Sequence, residues 1–491
     1  MSTLSETIDS ALRAAAEAHL RFSQTSVQQR AELMHAIAAA LEKNSDELIA
    51  AAAKETHLDA QRLLQELLRT SVQWQQYGDA CEKGYWMHVI IDTALPEKNR
   101  PDIRKYNRAL GPVVVFGASN FPFAYSTPGG DVASAIAAGC PVVVKAHPAH
   151  PQTSELTASI IRNCIAEKGF GEGVFSHITD SSFESGQLLV KHPLTAAVAF
   201  TGSLSGGKAL YDLAAARPNP IPVFAEMGSV NPVFILPGAV STRGDEIADK
   251  LVDSLTASAG QFCTNPGVWI MEDSAEITPF LEKLQQNISN RPVQEMLHPG
   301  IARQFHSRRE EVLAAQGVSL LGATAEQQKE GFSLPTIAVT TAEAFRAAPT
   351  VQHEVFGPFA VLVKCRNQAE LLSLAQNLEG QLTGTIWGND SDISAINQLR
   401  EILTEKCGRI IFNGVPTGVT VTQAMQHGGP FPGTTDTRFT AVGADAILRF
   451  IRPVCYQNWP DELLPLPLRN RNHSGIPRFI NGELTKADLS L

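Results

Sequence analysis

Apolar positions recur at helical spacing through the first ninety residues, over 8–22, 30–44 and 48–70. Ser26, with Gln29 three residues on, is a capping-box start for the second run. No catalytic constellation stands out in this part, which predicts helices that serve packing. Near Leu110 the pattern changes to short, wholly apolar runs bounded by Gly or Pro. The runs 111–117, 140–145, 195–201 and 223–226 predict buried strands of a parallel sheet, with helices over 127–139 and 151–167 between them. After Gly228 the alternation restarts. Strands are predicted at 231–235, 268–270, 359–363, 382–387 and 409–413, and helices at 245–258, 276–288 and 300–315. Alternation of this kind predicts an α/β protein with two α/β units. The segments 92–104 and 449–491, the second rich in Pro, fit neither pattern. Each reads equally as a linker or as an arm ordered against another subunit.

At 491 residues the chain is too long for one ordinary core. Its 44% apolar and 18% charged residues describe a folded protein. A net charge of -10 argues against nucleic acid or an anionic membrane as partner. There is no apolar stretch of about 20 residues and no basic segment followed by an apolar run at the start, so neither a membrane span nor a signal peptide is expected. The seven Cys are odd in number and scattered, which suits a reducing, cytoplasmic setting. Together with 13 His they form no metal-ligand spacing, and no catalytic metal is expected.

Three polar residues could carry chemistry. Cys263 lies in Ala259-Gly260-Gln261-Phe262-Cys263-Thr264, Glu226 in Phe224-Ala225-Glu226-Met227-Gly228, and Asn120 in Gly117-Ala118-Ser119-Asn120-Phe121-Pro122. A thiolate, a carboxylate and an amide are the parts needed to oxidise an aldehyde through a thioester. A lone internal Cys is more often a small buried hydrophobe than a nucleophile, and local sequence does not bring the three together. Lys145 ends an apolar strand, where it either snorkels to solvent or meets a nucleotide at the strand terminus. The Gly-rich stretch 202–207 is a β-α turn or a phosphate approach at a helix N-terminus, and it lacks the G-x-G-x-x-G spacing. Glu354 and Phe356 read as a turn with a core Phe, or as ribose and nicotinamide contacts.

Taken in order, these motifs resemble the aldehyde dehydrogenase superfamily over nearly the full chain. Further marks are Val144-Lys145-Ala146-His147-Pro148, Phe200-Thr201-Gly202-Ser203, Gln261-Phe262-Cys263-Thr264-Asn265-Pro266-Gly267, Glu354-Val355-Phe356-Gly357-Pro358 and Met425-Gln426-His427-Gly428-Gly429-Pro430. The likeness is greatest to the branch holding 2,5-dioxovalerate (α-ketoglutaric semialdehyde) dehydrogenases and NADP-using bacterial aldehyde dehydrogenases. The resemblance implies a Rossmann-like cofactor domain (1–98 and 111–228), a catalytic domain (229–427), a return segment (428–453), and an oligomerisation arm with the tail (99–110 and 454–491). It implies Cys263 as nucleophile, Glu226 as general base, and Asn120 with the Cys263 amide as oxyanion hole. On the cofactor side it implies Lys145, His147, Pro148, Thr201, Gly202, Ser203, Gly207, Glu354 and Phe356. It also implies a homodimer or homotetramer.

Many NAD-preferring relatives carry Glu three residues after the ribose-binding Lys, where this chain has Pro148, so NADP is expected with NAD also accepted. The stretch 180–186 holds no Arg to fix a 2'-phosphate, which limits that preference. The branch implies 2,5-dioxopentanoate as the small-molecule aldehyde. Arg162 and Arg438 are candidates for its distal carboxylate, and Phe123, Phe262 and Phe431 for an apolar tunnel wall. A medium-chain or aromatic aldehyde, a CoA-acylating reaction, and a non-enzymatic protein that keeps the fold are the alternatives.

Overall fold

The computed structural model describes residues 3–489. Four helices come first: α1 (Leu4–Phe22), α2 (Val27–Lys43), α3 (Ser45–Thr56) and α4 (Ala60–Lys83). The capping box at Ser26 is present, with the Ser26 hydroxyl accepting from Gln29 N and the Gln29 side chain accepting from Ser26 N. The single helix predicted over 48–70 is two helices. His57 turns left-handed (φ 56°) and ends α3, and Asp59 caps α4 by accepting from Gln61 N and Arg62 N.

The first sheet is wholly parallel, in spatial order Phe175–Ile178, Val142–Lys145, Val113–Phe116, Ala197–Thr201, Val223–Glu226. Its central strands are apolar throughout because helices cover both faces. Those helices include α5 (Gly130–Ala138), α6 (Pro151–Glu167), α7 (Phe183–Lys191) and α8 (Leu204–Ala215). Chain order reverses between Val113–Phe116 and Ala197–Thr201. A crevice therefore opens at the C-terminal ends of these two strands, the place where such sheets take ligands.

The second sheet has seven strands, in order Val318–Ala323, Thr336–Thr341, Phe359–Cys365, Val268–Glu272, Val233–Ile235, Gln381–Trp387, Cys407–Phe412. All pairs are parallel except the first, which is antiparallel. Helix α9 (Pro237–Thr256) leads from this sheet to the turn before Cys263. A third sheet joins Ile451–Gln457, Ile103–Ala109, Val89–Asp92, Arg478–Ile480 and Glu483–Thr485. The two segments that fitted neither pattern thus pair with one another.

The stretch Ala444–Phe450 returns to the N-terminal core. Ala446, Ile447 and Phe450 are buried there, and Arg449 forms a 2.7 Å ion pair with Asp131 on α5. Both side chains are under 10% exposed. Removing one member leaves the other charge buried and unpaired, at a cost of about 3–5 kcal/mol. Arg449→Met is therefore expected to lower unfolding stability by about that amount. Asp131→Asn in the same chain should recover part of the loss, and urea titration of the single and double variants checks this.

Candidate active site

Glu226 ends the last strand of the first sheet and is 4% exposed. The return segment holds its backbone in place. Met227 N donates to Gly433 O (2.9 Å), Thr435 N to Ala225 O (3.1 Å), and Ala225 N to Thr435 Oγ1 (2.9 Å). Cys263 follows three consecutive left-handed residues, Ser258 (φ 50°), Ala259 (φ 55°) and Gly260 (φ 65°). Only the last is a glycine, so the turn is strained. A Cβ on Gly260 would lie 2.3 Å from the backbone carbon of Gly357, so no other residue fits there. Gln294 Oε1 accepts from Ala259 N (2.5 Å), and Gln261 Oε1 accepts from Leu297 N (3.0 Å). Asn231 Nδ2 donates to the carbonyls of both Cys263 and Asn265, each at 2.9 Å.

These elements bring Cys263 and Glu226 together, with a third residue. His427 Nε2 lies 3.1 Å from Glu226 Oε1 and 3.7 Å from Cys263 Sγ. The polar atoms of all three residues are within 4.8 Å of one another. The His427–Glu226 approach is close but off the hydrogen-bond direction, and neither Glu226 oxygen has an aligned donor. Cys263 keeps part of its surface accessible. Asn120 is close by, its amide donating to Gln261 O at 3.1 Å. His427 lies in Met425-Gln426-His427-Gly428-Gly429-Pro430, a stretch whose local pattern assigns it no role. Its approach to Cys263 depends on a loop 164 residues further along the chain.

Burial pushes the Glu226 carboxyl up, but attraction to His427 and polar contact with His427 and Cys263 outweigh it, leaving the pKa below the usual carboxylate value. Burial and the Glu226 charge push the Cys263 thiol well above an ordinary thiol, against a smaller opposing pull from Arg69. The resting proton therefore sits on sulfur and the negative charge on Glu226. Glu354 is also near enough to raise the thiol, and burial pushes its own pKa up to about 8. Its carboxylate packs against Gly228, where a Cβ would lie 2.6 Å from Glu354 Oε2. Glu354 and Phe356 line one small pocket with Ser229 and Gly260.

The crevice of the first sheet is a cleft of about 860 Å³, within the ~300–1,000 Å³ of small-molecule sites. Lys145, His147, Pro148, Ser203 and Gly206 line it, and the almost fully exposed Phe183 forms its rim. The residues fit a dinucleotide. Ser203 caps α8 by accepting from Gly206 N, and this helix N-terminus faces the cleft. Gly206 keeps the floor open, since a Cβ there would come within 3.0 Å of the Phe200 ring. Burial lowers the pKa of the half-buried Lys145 ammonium, with Asp180 opposing. Gly207, expected at the cofactor, instead faces inward, because a Cβ there would meet Met227 at 2.6 Å. Gly202 packs on the Phe200 ring, and Thr201 borders a different pocket beside Glu226 and His427.

The structure gives four of the five substrate candidates other surroundings. Phe123 is fully buried in the N-terminal core, held by its backbone to Glu66, and is not a tunnel wall. Phe431 is 60% exposed. Arg162 lies on the outer face of α6, bonded to Glu155 and Ser159. Arg438 is 75% exposed and paired with Asp436. Phe262 remains at the site, in an apolar cluster with Phe121, Tyr125, Val419, Val421 and Met425. Two arginines of α4, Arg62 and Arg69, reach the same rings. Their seven-residue spacing is visible in the sequence, but the pattern of the first helices predicts packing alone.

The sequence profile of the aldehyde dehydrogenase family matches residues 2–448. The chain is similar to α-ketoglutaric semialdehyde dehydrogenase 2 of Azospirillum brasilense, 45% identical over 92% of this chain and 87% of that protein. It is 42% identical to the α-ketoglutaric semialdehyde dehydrogenase of Acinetobacter baylyi over 99% of this chain and 92% of that protein. Among solved structures, a betaine aldehyde dehydrogenase from Staphylococcus aureus in complex with NAD⁺ superposes with a TM-score of 0.78 at 18% identity, over 91% of this chain and 87% of that one. A 1-pyrroline-5-carboxylate dehydrogenase gives 0.79 at 22%, over 92% and 86%. The chain belongs to the aldehyde dehydrogenase family and is an NAD(P)-dependent oxidoreductase acting on aldehydes.

The Glu226 charge disfavours a thiolate at Cys263, so Glu226→Gln is expected to lower the pH midpoint at which Cys263 is alkylated. Iodoacetamide labelling across a pH series, followed on the Cys263 peptide by mass spectrometry, checks this. A midpoint that rises instead would contradict this electrostatic assignment.

Proposed function

We propose that this enzyme oxidises a small aldehyde bearing a distal carboxylate, with 2,5-dioxopentanoate as its substrate and 2-oxoglutarate as product. The observation that carries this is the similarity to two α-ketoglutaric semialdehyde dehydrogenases over nearly the whole chain, together with a Cys263–Glu226 pair suited to thioester chemistry. Cys263 is the nucleophile. Its proton passes to Glu226, whose carboxylate is charged and without an aligned donor. The sulfur then adds to the aldehyde carbon. The oxyanion that forms takes hydrogen bonds from the Asn120 amide, once released from Gln261 O, and from the Cys263 N–H. When bound, the nicotinamide cofactor supplies the hydride acceptor for oxidation to the thioester, and Lys145, Ser203 and the N-terminus of α8 would hold it. Glu226 then gives the thiol proton up to solvent and, as carboxylate again, takes a proton from water. The hydroxide attacks the thioester carbon, the C–S bond breaks, Glu226 returns its proton to the Cys263 sulfur, and the product leaves as carboxylate with loss of its acid proton to solvent. His427 holds the Glu226 carboxylate at the thiol and is a positioning residue.

NADP is the preferred cofactor, with NAD accepted. Pro148 lines the cleft where a carboxylate would repel a 2'-phosphate. His147 adds no charge there, because burial and neighbouring His150, His298 and Lys145 push it down to about 3, leaving it neutral at physiological pH. The selectivity is therefore modest. Steady-state kinetics check both readings. Cys263→Ala is expected to abolish NAD(P)H formation, and kcat/KM is expected to be higher for 2,5-dioxopentanoate than for hexanal or benzaldehyde. A preference for hexanal over every carboxylated aldehyde would defeat the substrate assignment. A preference for NAD of about tenfold or more, ~1.4 kcal/mol, would defeat the cofactor assignment.

We propose that the cofactor domain, catalytic domain and arm correspond to the three sheets, and that the arm sheet joins two subunits. Leu463, Leu466 and Leu484 are exposed on or beside it, and Ile410 and Phe412 are exposed on the edge strand Cys407–Phe412. Such apolar surface marks an interaction face. Sedimentation at micromolar concentration is expected to give a dimer or a pair of dimers, and a monomer would overturn this.

A further inference from the structure

We propose that Arg62 and Arg69 on α4, with Arg409 beside them, form the site that takes the distal carboxylate of the substrate. The proposal rests on the reading of the enzyme as one that oxidises acidic aldehydes, and it names the residues that make that choice.

Arg62 and Arg69 are two helical turns apart and share one face of α4. The Arg62 guanidinium lies 5.1 Å from the ring centres of both Phe121 and Phe262. Arg69 lies 5.3 Å from the Tyr125 ring and 6.0 Å from that of Phe121. Phe121 follows Asn120 in the chain and Phe262 precedes Cys263, so the two cations flank the rings next to the reacting groups. Arg62 Nη2 donates to Asn120 O (2.8 Å) and Arg69 Nη2 to Tyr125 Oη (3.0 Å). Arg409 comes from the strand Cys407–Phe412, donates to the carbonyls of Pro416 and Gly418, and acts electrostatically on both Cys263 and Tyr125.

The charges here do not balance. Glu66, on the same helix, interacts with both Arg62 and Arg69, and its Oε1 already accepts from Phe123 N (2.8 Å) and Ala124 N (3.0 Å). Among the described residues, none offers a hydrogen-bond partner to the buried Arg62 Nη1, Arg69 Nε and Arg409 Nε. Burial lowers the pKa of Arg62 and Arg409, as expected for cations short of an anion. Buried guanidinium donors without an acceptor are costly, and a carboxylate matches their planar fork. All three residues keep part of their surface accessible. The apolar rings between them and Cys263 suit the methylene chain of a short ω-carboxylate aldehyde.

The test compares 5-oxopentanoate with pentanal, which have the same chain length and differ by the carboxylate. In the unaltered enzyme kcat/KM is expected to favour 5-oxopentanoate by roughly 30-fold or more. In Arg62→Met and Arg69→Met this ratio is expected to fall at least about tenfold, mainly through KM for the acid. Arg69→Lys keeps the charge but not the fork and should give an intermediate ratio. A ratio that stays constant in both Met variants, including by equal losses on the two aldehydes, would show a purely structural role and overturn the proposal. Should the Met variants not fold, the unaltered enzyme decides: a ratio near one overturns the proposal, and a high ratio lost in Arg69→Lys supports it. Turnover of neither aldehyde would instead overturn the underlying reading of the enzyme.

Discussion

The side-chain amide of Asn231 is the constraint on which the site depends. Its Nδ2 bonds the carbonyls of Cys263 and Asn265, while its Oδ1 accepts from Ser229 and Thr383. Asn231 is itself left-handed (φ 48°) and fully buried. One residue thus ties the nucleophile turn to the crossing from the first sheet and to the strand Gln381–Trp387. Without such ties, a turn of three left-handed residues would relax toward ordinary backbone angles. Gln381 completes the arrangement by accepting from Ser229 Oγ and Val230 N.

The same packing sets the electrostatics. Glu226 is buried with a thiol and an imidazole, and the polar atoms of the three lie within 4.8 Å of one another. Burial alone would neutralise the carboxyl, but its neighbours keep it charged, and that charge in turn keeps the thiol protonated. Reactivity at Cys263 is therefore coupled to whatever changes the charge at Glu226. Arg69 of α4 and Arg409 act in the opposite sense on the sulfur.

Sequence pattern made the parallel strands legible because burial on both faces leaves continuous apolar runs, as in Val113–Phe116 and Val223–Glu226. Strands that bury little apolar surface were not legible. Phe175–Ile178 buries only its two end residues, and Ile103–Ala109 is mostly half-buried and polar, so neither carried the signal. Thr336–Thr341 was also missed, being short and rich in Thr. The break at His57 was hidden because helical spacing of apolar residues runs on through it. At the site, motifs marked Cys263, Glu226 and Asn120 as residue types. Their meeting, and that of His427, is a property of chain crossings that local pattern does not encode. Arg162 and Arg438 failed as anchors because sequence does not tell which face of an element looks inward.

The docking of Ala444–Phe450 on the N-terminal core has a consequence for how the chain is made. Cys140 Sγ contacts the carbonyl of Phe450, 310 residues later, and Arg449 also donates to Ser134 Oγ. Leu464, Leu468 and Ile476 belong to that same core. On the ribosome, the first sheet and its helices emerge early but lack these late pieces, so their apolar surface stays uncovered while the second sheet is synthesised. The N-terminal half therefore waits, incompletely packed, through most of translation. Apolar surface left uncovered in this way is prone to aggregation until the late segments arrive.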